Sequence, residues 1–407
     1  MSSDFDFNAL PRLSARRVAV HIQPQAEKAL RHGHPWLYAD AITQQSHQGQ
    51  AGDLAVVYDR KKRFLALGLY DPASPIRVKL LQHGQPATID EAWFARAVQA
   101  AWTRRSPLLD SATDGYRLIH GENDGLPALI VDRYAETLVL KLYSAAWLPH
   151  LAQVVAALRQ LRPWERGVLR LSRRMQGQHG LVDGLALWGD SPPGPIIFRE
   201  NGLRFQADVV RGHKTGFFFD QRDNRARVGQ LAEGRHMLDV FAYAGGFSVY
   251  AAVGGALSAL AVDVSAAALQ AAQAHWALNA QAIGAAQLEV RVGSALEVME
   301  SLRRRRFGLV VVDPPSLAKR TAEVPGALAH YQALAQAALP LCGDGAVLVL
   351  ASCSSHVSPA DFEAAATRAL KRCGRRWQVI ERTAHALDHP IGFPEGAYLK
   401  ALFIRLD

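Results

Sequence analysis

Four residues of this chain could do chemistry together. Asp239, Asp263, Asp313 and Cys353 each stand at or just past the end of an apolar run. The runs are His236-Met-Leu-Asp-Val-Phe-Ala-Tyr-Ala-Gly-Gly-Phe-Ser-Val-Tyr250, Ala261-Val-Asp-Val264, Val310-Val-Val-Asp-Pro-Pro315 and Val349-Leu-Ala-Ser-Cys-Ser354. Asp263 follows Asp239 by 24 residues, a spacing at which the acidic end of a second strand can accept hydrogen bonds from both hydroxyls of a ribose. Between them Gly245-Gly246 lacks side chains, so a ligand could approach the backbone before Phe247 opens a helix. The glycine pair alone reads equally as an ordinary strand-turn-helix corner, and Asp263 favours the ligand. The loop Ala242-Tyr-Ala-Gly-Gly-Phe247 lacks the Gly-x-Gly-x-x-Gly spacing that cradles a pyrophosphate. The implied ligand has a ribose and no pyrophosphate, as S-adenosylmethionine does.

The other two residues add a reaction. In Asp313-Pro314-Pro315 the prolines stiffen the backbone and hold a carboxylate at the mouth of the cleft, where it can handle a proton on a base. Exocyclic-amine methyltransferases usually carry an aromatic residue after Pro-Pro, and Ser316 here counts against amino-group methylation. Cys353, flanked by Ser352 and Ser354, follows Gly345-Ala-Val-Leu-Val-Leu-Ala351, and a thiol at that strand end is placed to be a nucleophile. Cys342 and Cys373, framed by no motif, read as small core residues.

These residues resemble the cytosine carbon-5 RNA methyltransferases of the bacterial 23S rRNA type, in which a PUA domain is joined to a class I methyltransferase domain. The resemblance covers nearly the whole chain. It includes Gly121-Glu-Asn-Asp-Gly-Leu-Pro-Ala-Leu-Ile-Val-Asp-Arg-Tyr134, Gly212-His-Lys-Thr-Gly-Phe-Phe-Phe-Asp-Gln-Arg-Asp-Asn224 and the tail Asp388-His-Pro-Ile-Gly-Phe-Pro-Glu-Gly-Ala-Tyr-Leu-Lys400. It implies Cys353 as nucleophile and Asp313 as catalytic carboxylate. Gln221, Asp239, Tyr243 and Asp263 then line the cofactor site, with Phe241, Gly245, Val264, Ser294, Ala295, Asp313 and Pro314 completing it. One position departs from the family, since Ser294 in Val292-Gly-Ser-Ala295 replaces an acidic residue expected near the adenine. The residue after Pro315 also differs from the Lys usual in close relatives.

The electronics of cytosine give the implied mechanism. Carbon 5 becomes nucleophilic once a thiolate adds to carbon 6, and a group protonating or hydrogen-bonding nitrogen 3, here Asp313, stabilises the adduct. The base that then removes the carbon-5 proton is left open. His356 is one reading, and a solvated loop histidine is the other. Two further readings of the whole chain stay open, a noncatalytic RNA-binding or assembly factor and a methyltransferase acting on another base or on a small molecule.

The elements that must position these groups form an α/β chain. From 196 to 407 strands and helices alternate, as in a Rossmann-like class I methyltransferase domain with a doubly wound, mostly parallel sheet. Pro192-Pro-Gly-Pro195 marks the boundary before it. Residues 86–195 read as a central α+β module, with a helix over about 89–105, strands at Ala128–Asp132 and Thr137–Leu142, and a helix over Leu148–Leu161. Residues 1–85 read as a PUA-like β-barrel built from Val18–Val20, Ala55–Tyr58, Phe64–Tyr70 and Ile76–Leu81. Arg31 and His34 in the barrel, Arg170, Arg173 and Arg174 in the module, and Lys214 are candidate RNA contacts, each weighed against a solvated polar face. Trp36 reads as core. Arg303-Arg-Arg-Arg306 enters the strand that ends at Asp313, which puts it at the opposite edge of the sheet, as a solvated face.

Composition bounds the rest. A chain of 407 residues with 49% hydrophobic and 20% charged residues fits two or three globular domains rather than disorder. A net charge of +9 favours an anionic partner and agrees with RNA. Three cysteines give no disulfide framework, and no Cys/His pattern suggests a metal. Met1-Ser-Ser-Asp-Phe-Asp-Phe-Asn8 has no apolar signal core, and no apolar run is long enough for a membrane helix. A cytoplasmic, membrane-free protein is expected, and a homodimer is compatible with the chain.

Overall fold

The computed structural model describes all residues except Met1–Ser3, Ala15, Asp110, Ser111, Gln178, His179 and His213. The start of the amino-terminal stretch and the His of the Gly212 motif therefore lie outside the described residues. The chain forms two compact units. The first comprises Met1–Gly202, Ala207–Phe219 and Asp388–Pro394, and the second Leu203–Gln206, Asp220–Leu387 and Glu395–Asp407.

In the first unit, β1 (Val18–Ile22), β2 (Trp36–Tyr38), β3 (Ile42–Gln45), β4 (Leu54–Tyr58), β5 (Phe64–Tyr70) and β6 (Ile76–His83) form one sheet ordered β2-β6-β5-β4-β1-β3. The β1/β4 pair is parallel and the others are antiparallel. The strand β3 had no counterpart in the sequence reading; Ile42-Thr-Gln-Gln45 is too short and polar to register as alternation. A second sheet is built from β7 (Gly115–His120), β8 (Leu129–Tyr134), β9 (Thr137–Leu142), β10 (Arg166–Leu171) and β11 (Leu185–Trp188), in the order β11-β10-β9-β8-β7. Helices Glu91–Arg104 and Leu151–Leu161 accompany it, the first capped by Asp90, which accepts from the Trp93 amide at 2.8 Å. One apolar core runs from Val56, Leu67 and Leu81 of the first sheet through Phe94 and Trp147 to Leu169 and Trp188. The two sheets thus share a core.

After β12 (Ile196–Glu200) and β13 (Leu203–Ala207), the second unit carries the doubly wound sheet. Its strands are β14 (His236–Val240), β15 (Ser258–Asp263), β16 (Gln287–Val292), β17 (Phe307–Val312), β18 (Cys342–Ser352), β19 (Trp377–Thr383) and β20 (Lys400–Leu406). They lie in the order β16-β15-β14-β17-β18-β20-β19, parallel except for β20, which runs antiparallel to both neighbours.

Side chains alternate across this sheet. Leu238, Val240, Val310, Val312 and Leu348 pack on one face with helices Ala295–Ser301, Val324–Ala338 and Pro359–Leu370. Met237, Leu309, Val311 and Val347 pack on the other with Arg222–Gln230 and Gly246–Val253. Both faces are covered, which is why these strands read as continuous apolar runs. Every polar residue at a carboxyl end is then forced to the same rim, where ligands bind in such sheets.

Candidate active site

The rim brings the four residues together through strand register. Asp239 pairs with Val311, and Val240 with Val312, so Asp313 emerges beside the end of β14 and its amide donates to Val240 O at 3.3 Å. β17 pairs in turn with β18, which ends at Ser352 and presents Cys353 next to the Asp313 loop, with Sγ 3.9 Å from Pro314 O.

The serines around the thiol tie the two loops together. Ser354 Oγ accepts from the amides of Leu317 (2.9 Å) and Ala318 (3.3 Å) and lies 2.9 Å from Tyr331 Oη, which also accepts from Ser352 Oγ at 2.9 Å. Ser316 Oγ joins at 3.3 Å from Ser354 Oγ. Ser316, the residue after Pro-Pro, therefore braces the Cys353 loop.

Asp313 is half-buried at the rim. Burial above all, reinforced by the neighbouring Asp220 carboxylate, pushes its carboxyl up to about 7, against the opposing hydrogen bond from Gln221. That bond is oriented by a chain of side chains. Thr383 Oγ1 donates to Asn224 Oδ1 (2.5 Å), Asn224 Nδ2 to Gln221 Oε1 (2.6 Å), and Gln221 Nε2 to Asp313 Oδ2 (2.9 Å). With its oxygen already engaged, the Gln221 amide must present N–H to the carboxylate.

The turn after β14 is strained at two non-glycine residues, Phe241 (φ +65) and Tyr243 (φ +47), each costing of order 1 kcal/mol. Asp263 holds this turn, Oδ2 accepting from the Tyr243 amide and Oδ1 from the Ser265 amide, both at 2.9 Å. Gly245 has φ +68, and a Cβ there would come within 2.7 Å of Ala272 Cβ; a Cβ on Gly246 would meet Arg225 Cδ at 2.8 Å. The missing side chains thus serve a left-handed turn and tight helix packing.

The residues fit S-adenosylmethionine. Asp239 is buried, with Oδ2 accepting from Ser248 Oγ (2.7 Å) and its amide (3.2 Å), while Oδ1 has no partner. Burial pushes this carboxyl up to about 7. An orphaned buried acceptor at the rim suits the ammonium of a methionine moiety. Val264, Val292 and Leu296 are large apolar side chains left exposed around Asp263 and Ser294, a surface suited to a flat purine. Ser294 heads helix Ala295–Ser301 but makes no side-chain cap, so its hydroxyl is not consumed there. Sequence reasoning named Val264 and missed Val292, Leu296, Asp220 and Tyr331. Two apolar residues bracketing Gly293-Ser294 were a usable signal for the first pair.

The candidate RNA contacts fare unevenly. Arg170 is buried, bonding Asp183 (3.1 Å) and the carbonyls of Val209 (3.1 Å) and Gly212 (3.0 Å), so its guanidinium is used inside the fold. Arg31 bridges Glu27 (2.9 Å) and Asp59 (2.8 Å). His34 stands edge-on to Trp36 and Phe393, and half-buried Trp36 donates Nε1–H to Glu122. Arg173, Arg174 and Lys214 are exposed. Among the described residues no His/Cys/Asp/Glu group is arranged for a metal, and no helix is long and apolar enough to cross a membrane.

A covered, mostly parallel sheet with a strained turn after its first strand in chain order and an acidic residue ending the next strand defines a class I methyltransferase architecture. Comparison with known proteins agrees. Residues 117–405 match the family described as S-adenosylmethionine-dependent methyltransferase, and residues 20–83 match a PUA-like domain. A Deinococcus radiodurans protein named ribosomal RNA large subunit methyltransferase is 45% identical over 98% of this chain and 99% of its own. Proteins named ribosomal RNA large subunit methyltransferase I from Tolumonas auensis (95% of this chain, 99% of its own) and Shewanella amazonensis (96% and 99%) are 35% and 38% identical. Among solved structures, SMU.776, assigned as a methyltransferase and complexed with SAH, superposes with a TM-score of 0.82 at 21% identity, covering 96% of this chain and 99% of that one, a likeness of fold. The chain belongs to the family of PUA-like-domain, S-adenosylmethionine-dependent ribosomal RNA large subunit methyltransferases.

For the cofactor site, Asp263→Ala should weaken S-adenosylmethionine binding about tenfold or more. Charge-assisted hydrogen bonds are worth roughly 1.5–3 kcal/mol each, and the Tyr243 turn loses its anchor as well. Calorimetry on the full chain checks this, and unchanged affinity would remove Asp263 from the site.

Proposed function

We propose that the protein methylates carbon 5 of a cytidine in large-subunit ribosomal RNA, through a covalent adduct of Cys353 at carbon 6. The observation that carries this reading is the meeting of a thiol and a proton-holding carboxyl at adjacent strand ends, with Cys353 Sγ 3.9 Å from the carbonyl of Pro314, the residue after Asp313. The names of the relatives, the PUA-like match and the net charge of +9 support RNA as substrate. A ribosomal substrate also places the reaction in the cytoplasm. Residues 1–85, with exposed Arg173, Arg174 and Lys214, are the parts we assign to RNA contact.

Each step except removal of the carbon-5 proton has an assigned group. The Cys353 thiolate forms a bond to carbon 6, and the electron pair of the 5,6 double bond moves through the ring towards nitrogen 3. Asp313, whose carboxyl lies near 7, can donate a proton there as the charge develops. S-adenosylmethionine, when bound, supplies an electrophilic methyl group and is left as S-adenosylhomocysteine. A base then takes the carbon-5 proton, the 5,6 double bond re-forms, the carbon-sulfur bond breaks to return the thiolate, and the nitrogen-3 proton goes back to Asp313. Asp239 and Asp263 hold the cofactor, and Gln221 holds Asp313.

Mapping 5-methylcytidine across ribosomal RNA from a strain lacking the gene tests the reading. One position should lose its methyl group and regain it when the purified protein and S-adenosylmethionine are added. A complete map in the deletion strain would overturn the assignment.

A further inference from the structure

The tail motif ends in Lys400, which the mechanism above does not use. Its side chain is buried. The ammonium donates to the carbonyls of Ser354 (2.5 Å), Val357 (2.7 Å) and Tyr398 (3.0 Å), which uses all three of its N–H groups. Two of these acceptors belong to the turn that leaves Cys353, and β20 pairs with β18 so that Lys400 lies opposite Ser352.

No carboxylate bridges this ammonium among the described residues. Neutral carbonyls alone seldom justify an enclosed cation, because burying an unpaired charge is costly. A neutral donor would shape the same turn at less expense. The ionisable group that acts on Lys400 is Cys353. Burial drives the lysine down to about 8, and the thiol opposes that shift. Tyr331 also faces this corner through Ser352 and Ser354, and Asp313 faces it from the next strand end, its carboxyl raised by burial first and by Asp220 next.

We propose that Lys400 is the positioning residue of the nucleophile: it shapes the turn after Cys353 through the three carbonyls and supplies the positive charge against which the thiol ionises. The proposal rests on the reading of Cys353 as nucleophile. A thiol beside a buried cation ionises below its ordinary range and adds to a pyrimidine at neutral pH without a separate base.

The test is the pH dependence of Cys353 alkylation by iodoacetamide, followed on the Cys353 peptide by mass spectrometry in the full-length protein. Peptide resolution separates this thiol from Cys342 and Cys373. In the wild type the midpoint should fall at least one pH unit below the ordinary thiol value of about 8.5. A wild-type midpoint at or above that value overturns the proposal whether or not any variant folds. Lys400→Met should raise the midpoint by a unit or more and cut kcat at least tenfold with little change in KM for RNA, and Lys400→Arg should restore most of the midpoint. A folded Lys400→Met protein with the wild-type midpoint also overturns it. If Cys353→Ala abolishes turnover while the midpoint ignores Lys400, the nucleophile stands and the lysine's role falls. Retained turnover in Cys353→Ala removes the nucleophile itself, whatever the lysine variants do.

Discussion

Cys353→Ala is expected to lower kcat by about 10⁴-fold or more, because deleting a covalent nucleophile removes the only path that makes carbon 5 reactive. S-adenosylmethionine affinity should stay within about twofold, since Asp239, Asp263 and the strained turn are untouched. The approach of the thiol to Pro314 O is long, at 3.9 Å, so losing it should be tolerated by the fold. RNA containing 5-fluorocytidine should form a covalent complex with the wild type and none with the variant. The fluorine blocks removal of the proton that normally releases the enzyme. Turnover in the alanine variant within tenfold of wild type would place the chemistry on another residue.

Asp313→Asn should give the second largest effect, a fall in kcat of about 10²–10³-fold, the usual range for losing a proton donor. It should also stabilise the protein. The folded carboxyl is raised to about 7, so the folded state holds its proton more tightly than the unfolded chain does. The associated stability is complete below the unfolded value, is lost as pH climbs from about 4 through 7, and stays lost above that. Asparagine has no such dependence. The variant should therefore melt about 2–6 °C higher than wild type at pH 8, with the gap closing towards pH 5. Calorimetric scans at the two pH values decide it, and a variant less stable than wild type at pH 8 would show that the Gln221 hydrogen bond needs the full charge.

Much of this site was legible in the sequence because a covered parallel sheet announces itself twice. Its strands are unbroken apolar runs, and the first polar residue after each run lands on one rim, which is how Asp239, Asp263, Asp313 and Cys353 could be grouped across more than a hundred positions. The doubly wound order and the PUA-like match follow the sequence expectations. What the pattern could not carry was the inside of side-chain networks. Nothing in Ser352-Cys-Ser354 says that the serines reach Tyr331 and the Pro-Pro loop, and the purpose of Gly245 became visible only when Ala272 was found behind it. Arg170 failed as an RNA candidate for the same reason. A basic residue at a strand end looks exposed in one dimension, while its partners Val209 and Gly212 lie about forty positions away. Lys400 was hidden by its setting, a single cation within Leu399-Lys-Ala-Leu-Phe-Ile404.

The position of β20 has a kinetic consequence. It is threaded between β18 and β19 although it follows both in the chain, so β18 keeps an open edge until residues 400–406 arrive. Pairings of long sequence separation tend to form late. A newly made or partly melted chain would therefore already display the cysteine without its cation, as an ordinary, sluggish thiol. Reactivity is thus switched on by the same event that seals the sheet.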